Sequence, residues 1–275
     1  MIEPTMHYSL SSCILTIAIS LLLCSLLLCS LLLCSLLSTT SAQSLQATAL
    51  QHPLEFLPTC PVAEMNFTLV PAIPADAPRL AEIYFSAFTN ELSRRLFPRA
   101  EDTEAFQIRG LEENARETQS GGKKTSLIKV VGTNDAGEEV IAGYALWKFH
   151  GDQEETTGKG AEKTEWPGSS DGELCDSFFG KVTAERERAV GEQRHYYLSI
   201  LAIDPAFGRQ GLGAKLLKWG LDRADEERVI TFISASPQGR GLYEKHNCRA
   251  LNNYEVVPGY RETSMIRPVG GMSRR

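Results

Sequence analysis

The stretch Leu198 to Leu217 reads LSILAIDPAFGRQGLGAKLL and holds the residues most able to do chemistry. Gly208, Gly211 and Gly213 form a Gly-x-x-Gly-x-Gly turn between an apolar run and an amphipathic one. Glycines at these points let main-chain N–H groups converge on an anion with no side chain in the way. A helix starting there adds its own unpaired N–H groups and partial positive charge. That combination suits a pyrophosphate, and Arg209 can add a charge-assisted contact. Taken alone, the glycines fit an ordinary strand-to-helix turn equally well. The spacing is not the Gly-x-Gly-x-x-Gly of a dinucleotide fold, and no Gly-Lys-Ser/Thr follows as in a nucleoside-triphosphate loop.

Other groups bear on chemistry less specifically. His195 titrates in a useful range, although a histidine at a strand start is usually structural. Glu82, Glu91 and Glu139 cannot be ranked as bases. Tyr144, Trp147, Trp166 and Tyr196 are read as core before they are read as an acceptor site. Glu173, Glu185 and Glu187 are read as a solvated helix face.

The elements that must position the turn follow from periodicity. Phe67 to Val70 alternates as a short strand. Leu80, Ile83, Tyr84 and Ala87 repeat at helical spacing. Arg94 to Pro98 is read as a loop, and Glu101 to Thr118 as a polar helix. Ser126 to Val131 and Val140 to Phe149 pair across the hairpin signal Asn134-Asp135-Ala136-Gly137. Residues 150–172 bury little and are read as an exposed loop. Leu174 to Val190 is a helix, His195 to Ile203 a buried strand, and Ala214 to Ala224 a helix. Val229 to Ile233, Gln238 to His246 and Leu251 to Val256 complete a β-αα-β-β-α-β-α-β-α-β order. Such mixed order predicts an α/β sandwich on a mostly antiparallel sheet.

Asp204-Pro205, Gly211 and Gly213 resemble the hydrophobic-Asp/His-Pro turn and the Gln/Arg-x-x-Gly-x-Gly/Ala loop of the GNAT superfamily of N-acetyltransferases. At the loop's first position stands Gly208, with Arg209 beside it. Ser234 to Gly239, followed by Leu242 to His246, looks like that family's second cofactor segment, and Cys248-Arg249-Ala250 stands where Gly-Phe is common. Ala75 to Phe88 looks like the first helix of fungal-type members. The resemblance covers nearly all of residues 65–260. It implies a mixed, mostly antiparallel sheet of six to seven strands flanked by helices, an α+β-like GNAT fold, over a domain at 65–268. It also implies an acetyl group moving from acetyl-CoA to a primary amine of a small molecule or peptide. Gly208, Arg209, Gln210, Gly211, Leu212, Gly213 and Ala214 would then hold the diphosphate. Leu201, Ala202 and Ile203 would hold the pantetheine arm from a bulged, splayed strand, with Ser236 and Gly239 completing the cofactor site. Tyr243 would be the general acid for the leaving thiolate; the alternative is that it only packs its helix. A catalytically silent CoA-binding module and a membrane-tethered interaction protein are the rival readings.

Charge and cysteines narrow the field. Residues 1–64 contain no Lys or Arg and three acidic residues, Glu3, Glu55 and Glu64. With 28 basic and 34 acidic residues in the chain, residues 65–275 carry a net 28 − 31 = −3, which gives no reason to seek nucleic acid. No CxxC or Cys/His cluster suggests a metal, and the cysteines do not form a disulfide framework. Residues 14–37 are uncharged and apolar, long enough to span a bilayer, and repeat Leu-Leu-Leu-Cys-Ser from Leu21 to Ser35. A membrane anchor, a cleaved signal, and translation upstream of a start at Met65 all remain open. The expectation is a cytoplasmic catalytic domain with that segment as an anchor, joined by a polar linker at 38–64.

Overall fold

The computed structural model describes residues 65–134, 136–151 and 164–271. The apolar segment at 14–37, the linker at 38–64, Asp135 of the hairpin signal and most of the 150–172 loop lie outside them. The chain divides into Met1–Cys60 and Pro61–Arg275, and every described residue belongs to the second unit. No helix among the described residues is long and apolar enough to cross a membrane.

Seven strands form one sheet in the order β1-β2-β3-β4-β5-β7-β6. They are β1 (Thr68–Pro71), β2 (Thr125–Thr133), β3 (Glu139–His150), β4 (His195–Ile203), β5 (Ile230–Ala235), β6 (Arg249–Val257) and β7 (Tyr260–Arg267). All pairs are antiparallel except β4 with β5. The helices are α1 (Ala77–Ala87), α2 (Glu91–Leu96), α3 (Glu101–Gln119), α4 (Gly172–Val190), α5 (Leu212–Glu226) and α6 (Arg240–Glu244). The sheet is thus mixed, mostly antiparallel and flanked by helices, as expected.

Two cores sandwich the sheet. On one face α5 lays Leu212, Leu216, Leu217, Leu221 and Ala224 against Val130, Trp147, Leu198, Ile233 and Met265. On the other, Leu80, Ala81 and Ile83 of α1 and Leu111 and Ala115 of α3 cover Leu127, Tyr144, Leu146 and Ala202. Period-two alternation in β3 sends Tyr144 to one face and Ala145 and Trp147 to the other. α5 approaches the sheet closely because Gly220 faces Trp147. A Cβ there would lie 2.1 Å from the indole.

Strand β4 carries the feature on which the site depends. Leu146 pairs with Ile200 and Trp147 with Leu198, so Ser199 is an extra residue, a β-bulge. The bulge reverses which side chains face α5. Before it, Tyr196 and Leu198 do; after it, Leu201 and Ile203 do, while Ile200 and Ala202 turn to the α1–α3 face. β4 and β5 pair from His195↔Ile230 to Leu198↔Ile233 and no further. Beyond the bulge the two parallel strands separate.

Two elements and one side chain differ from the sequence expectation. Residues 91–96 form α2, which takes in the start of the Arg94 to Pro98 stretch read as a loop, with Asn90 Oδ1 accepting from Ser93 N at 2.9 Å as its N-cap. A last strand, β7, follows a turn at Gly259, whose φ is +80°. Glu185 is buried rather than solvated. It accepts from Ser264 Oγ at 2.6 Å and from Arg188 at 2.6 and 2.7 Å.

Candidate active site

The glycine turn connects β4 to α5. Asp204 caps the end of β4: its Oδ1 accepts from Ala206 N at 2.9 Å, and its Oδ2 accepts from Arg79 of α1 at 2.5 Å. Backbone bonds from Phe207 N to Asp204 O (2.9 Å) and Gly208 N to Pro205 O (3.1 Å) then close a short 3₁₀ turn. From there the pattern stops. The next backbone bond is Lys215 N to Gly211 O at 3.1 Å. Among the described residues, no acceptor serves the six amides of Arg209, Gln210, Gly211, Leu212, Gly213 and Ala214. Four of these, from the N-cap Gly211 to Ala214, are the free N–H groups that open any helix, and Arg209 and Gln210 precede them in one continuous run.

Backbone conformation sets up that run. Gly211 has φ +74° and Arg209 φ +62°. The left-handed region costs an L-residue about 1–2 kcal/mol, so Arg209 holds it under strain while Gly211 does not. The first turn of α5 holds no acidic side chain. Arg209 and Lys215 are exposed, and neither has an ion-pair partner among the described residues. The local field therefore favours an anion. Leu212 contributes only its amide, because its side chain is core.

The separated strands open onto a cavity of about 840 Å³. Leu198, Ser199, Leu201 and Ile203 form its β4 wall, Ser234 of β5 and Ser236 just beyond that strand the facing wall, and Gly213 its floor at the start of α5. Ala202 alone of the three predicted β4 residues turns its side chain away, into the opposite core. Ser236 shapes the far rim. Its Oγ and carbonyl oxygen accept from Gly239 N at 3.2 and 3.1 Å, launching α6. Gly239 packs closely under Tyr243: a Cβ would sit 3.1 Å from its ring.

Tyr243 lines this cavity from α6 and is 8% exposed. Its hydroxyl has no hydrogen-bond partner among the described residues. Burial, with the nearby Cys248, Glu262 and Tyr197, holds its pKa well above the ordinary 10, so the phenol is protonated at neutral pH.

The carboxylates considered from sequence lie elsewhere. Glu82 pairs with Arg79 at 3.0 Å and Glu139 with Lys129 at 3.0 Å, and neither they nor Glu91 line the cavity. Nor does His195. It stacks on His150 at 4.8 Å, and its Nδ1 is 2.7 Å from Gln193 O. Burial lowers its pKa and keeps it neutral. The carboxylate that does line the cavity is Glu262 of β7, which sequence reasoning missed along with its strand. Burial raises its pKa above the ordinary 4.5, against hydrogen bonds from Ser234 and Tyr254 that favour the ionised form.

Opposite, the cavity widens into an aromatic wall. Phe97 stacks on Phe106 at 5.7 Å and Trp166 on Phe179 at 5.2 Å, and the two pairs meet at about 6 Å. Of the four aromatic residues weighed from sequence, Trp166 lines the cavity. Tyr144 and Trp147 are fully buried core, and Tyr196 is buried with its hydroxyl donating to Glu227 at 2.6 Å.

Comparison with known proteins gives the same picture. The acetyltransferase (GNAT) family matches residues 86–248. No curated protein matches the chain. Among solved structures, mosquito arylalkylamine N-acetyltransferase like 5b is similar at 15% identity and TM-score 0.51, covering 74% of this chain and 100% of that one. The histone acetyltransferase HPA2 and related acetyltransferase of Corynebacterium glutamicum is similar at 22% identity and TM-score 0.47, covering 77% and 100%. PaiA N-acetyltransferase of Thermoplasma acidophilum, solved in complex with coenzyme A, is similar at 11% identity and TM-score 0.43, covering 74% and 99%. The match over more than half of the sequence, on a strand-separated sheet with an anion-ready turn, makes this chain a member of the GNAT family of acetyltransferases.

Proposed function

We propose that the chain is an acetyl-CoA-dependent N-acetyltransferase that acetylates a primary amine of a small molecule or peptide. One observation carries this reading. An unpaired strand edge beyond Leu198 runs along one cavity from Gly213, within the run of unsatisfied amides at Arg209–Ala214, to Tyr243. A diphosphate satisfies the amides at one end. An extended amide-bearing arm satisfies the edge of β4 between them. A thioester then lies near Tyr243. Residues 65–268 form the catalytic domain in this reading.

Each residue has a distinct task. Arg209, Gln210, Gly211, Leu212, Gly213 and Ala214 bind the diphosphate through main-chain N–H groups, and the Arg209 side chain adds charge. Leu201 and Ile203 shape the cleft with their side chains, while Leu201, Ala202 and Ile203 offer main-chain groups to the arm. Such groups, fixed before reaction, also stabilise charge developing on the thioester oxygen. Ser236 and Gly239 set the far rim and the angle of α6.

Tyr243 delivers a proton to sulfur as the carbon–sulfur bond breaks. A phenol with a raised pKa would do so uphill against a thiolate of pKa about 8.5. The cost is offset if the hydroxyl takes up the amine nitrogen's surplus proton as it gives up its own. Tyr243 then acts as a relay, and no tyrosinate accumulates.

Isothermal titration of the purified protein with coenzyme A tests the reading. A 1:1 complex that weakens when Gly211 is replaced supports it. No heat of binding refutes it. Acetyl-CoA that binds but is not consumed with any amine would leave the silent-module reading in its place.

A further inference from the structure

One side of the cavity carries positive charge that acetyl transfer itself leaves unused. Phe178, Phe179, Val182, Thr183 and Arg186 of α4 line it at the spacing of one helix stripe. Strand β3 supplies the neighbouring wall. Trp147 and Phe149 pack toward α5, so Lys148 and His150 turn to the other face, and both line the cavity. Lys148 stands in register with Tyr197 of β4, and His150 with His195. Because α5 lies across the sheet from this wall, its cations do not serve the diphosphate at the glycine turn.

Arg186 is the centre of the wall. Its guanidinium lies 5.3 Å over the Tyr197 ring and contacts the His150 imidazole. Neither neighbour is an anion, and among the described residues no carboxylate lies within ion-pair distance of Arg186. Glu185, next to it on α4, is taken up by Arg188, Ser264 and Asn252. Glu262, the one carboxylate among the described lining residues, accepts from Ser234 instead. An arginine keeps its charge at every working pH, and a half-buried one attracts an anion more strongly than an exposed one does. The same stripe of α4 carries Phe179 into the aromatic wall with Trp166, at 5.2 Å. Charge and apolar surface thus meet on one helix.

From this arrangement we infer that the acceptor is an amine that also bears a carboxylate on an apolar or aromatic body, as a hydrophobic amino acid does. Arg186 takes the carboxylate and the aromatic wall takes the body. The inference rests on the acetyltransferase reading above and deepens it. A guanidinium fork matches a carboxylate through two parallel hydrogen bonds, and the Glu262 charge in the same cavity weighs against a dianion such as phosphate. The dimensions agree. Tyr197, beneath Arg186, stands two residues before the bulge at Ser199, which is about 7 Å along the strand. An amine beyond the bulge and a carboxylate at Arg186 therefore fit within one small molecule.

The test uses the full chain, with phenylalanine and phenylalaninamide as acceptors and their N-acetyl derivatives as product probes. Thermal unfolding with the product probes reads the anion site without acetyl-CoA. N-acetylphenylalanine should stabilise the wild type and N-acetylphenylalaninamide should not; Arg186→Gln should respond to neither. In turnover, the wild type should favour phenylalanine over its amide at least about 10-fold in kcat/KM. The amide has the more acidic ammonium group, so a supply of free amine cannot produce that preference. Arg186→Gln should raise KM for phenylalanine about 10- to 100-fold, the range for losing a charged hydrogen-bonded pair, and leave KM for the amide unchanged. Arg186→Lys should keep part of the preference, and acetyl-CoA affinity should stay within about twofold in both variants. Equal stabilisation by the acid and its amide, equal turnover of the two by the wild type, or a preference that survives Arg186→Gln overturns the proposal. The wild-type comparisons decide it even where a variant does not fold. Failure of acetyl-CoA to bind the wild type overturns the reading of the glycine turn instead, and the product-probe arm still decides the role of Arg186.

Discussion

Replacing Gly220 with Ala probes whether the α5–sheet contact fixes the anion turn. The added Cβ would lie 2.1, 2.4 and 2.5 Å from Trp147 Cε2, Cζ2 and Cδ2, about 1.3 Å short of ordinary contact at worst. The indole has no room to yield. Trp147 is 1% exposed and packs edge-on against Tyr196 with centroids 6.4 Å apart. Overpacking of this severity costs about 3 kcal/mol, and the better helix propensity of Ala returns about 1 kcal/mol. The net loss of about 2 kcal/mol lowers Tm by about 4–8 °C for a domain of this size. Because α5 must lift to admit the methyl, the amides two turns away at its start move as well, and coenzyme A binding weakens. Thermal circular dichroism and calorimetry on the same samples give both numbers. Trp147→Leu in the Gly220→Ala background should recover part of both losses, a coupling of 1 kcal/mol or more. A Tm within 2 °C of wild type, or lost stability with unaltered coenzyme A affinity, would refute the proposed linkage.

Further expectations are simpler. Gly211→Ala places an L-residue at φ +74° and should cost about 1 kcal/mol of stability, read by thermal unfolding. Tyr243→Phe should lower kcat about 100-fold while leaving the dissociation constant of acetyl-CoA unchanged; an equal fall in both would make Tyr243 a packing residue. Glu185 is held down from 4.5 to about 2, chiefly by Arg188 and further by Ser264 and Asn252. Its contribution to stability is present above pH 4.5 and lost as the pH falls toward 2. Glu185→Gln should therefore flatten the acid-side stability loss in that window, followed by urea titration at each pH. Glu262 has the opposite sign. Its raised pKa favours folding below 4.5 and opposes it as the pH rises through the folded value. Glu262→Gln should consequently unfold at neutral pH no lower than the wild type.

The sequence pattern made the turn at Gly208–Gly213 visible because glycine and proline punctuate it on both sides. The two strands before it were visible because Asn134 and Gly137 mark the hairpin; Asn134 Oδ1 accepts from Ala136 N and Glu138 N at 3.0 and 2.8 Å. What escaped follows from weaker local signals. HYYLSILAI is apolar on both faces, so its pattern cannot report the change of facing at Ser199. The positions of Leu201 and Ile203 on the cleft and of Ala202 in the core are tertiary facts. Strand β7 (YRETSMIR) carries polar residues that face a cavity and a buried network, so it does not alternate as a half-buried strand should. Glu262 was lost with it. Glu185 was read as solvated because helical charge normally is, whereas its partners Asn252 and Ser264 come from strands more than sixty residues away. α2 is a six-residue helix held by one cap and by the burial of Leu96, too short for periodicity to register.

The most direct measurement is a crystal structure of the protein grown with coenzyme A. The proposed function requires diphosphate oxygens within about 2.7–3.2 Å of amides in Arg209–Ala214, and the pantetheine lying between β4 and β5 toward Tyr243. A ligand bound elsewhere, or a complex in which those amides turn inward to protein carbonyls, would contradict it.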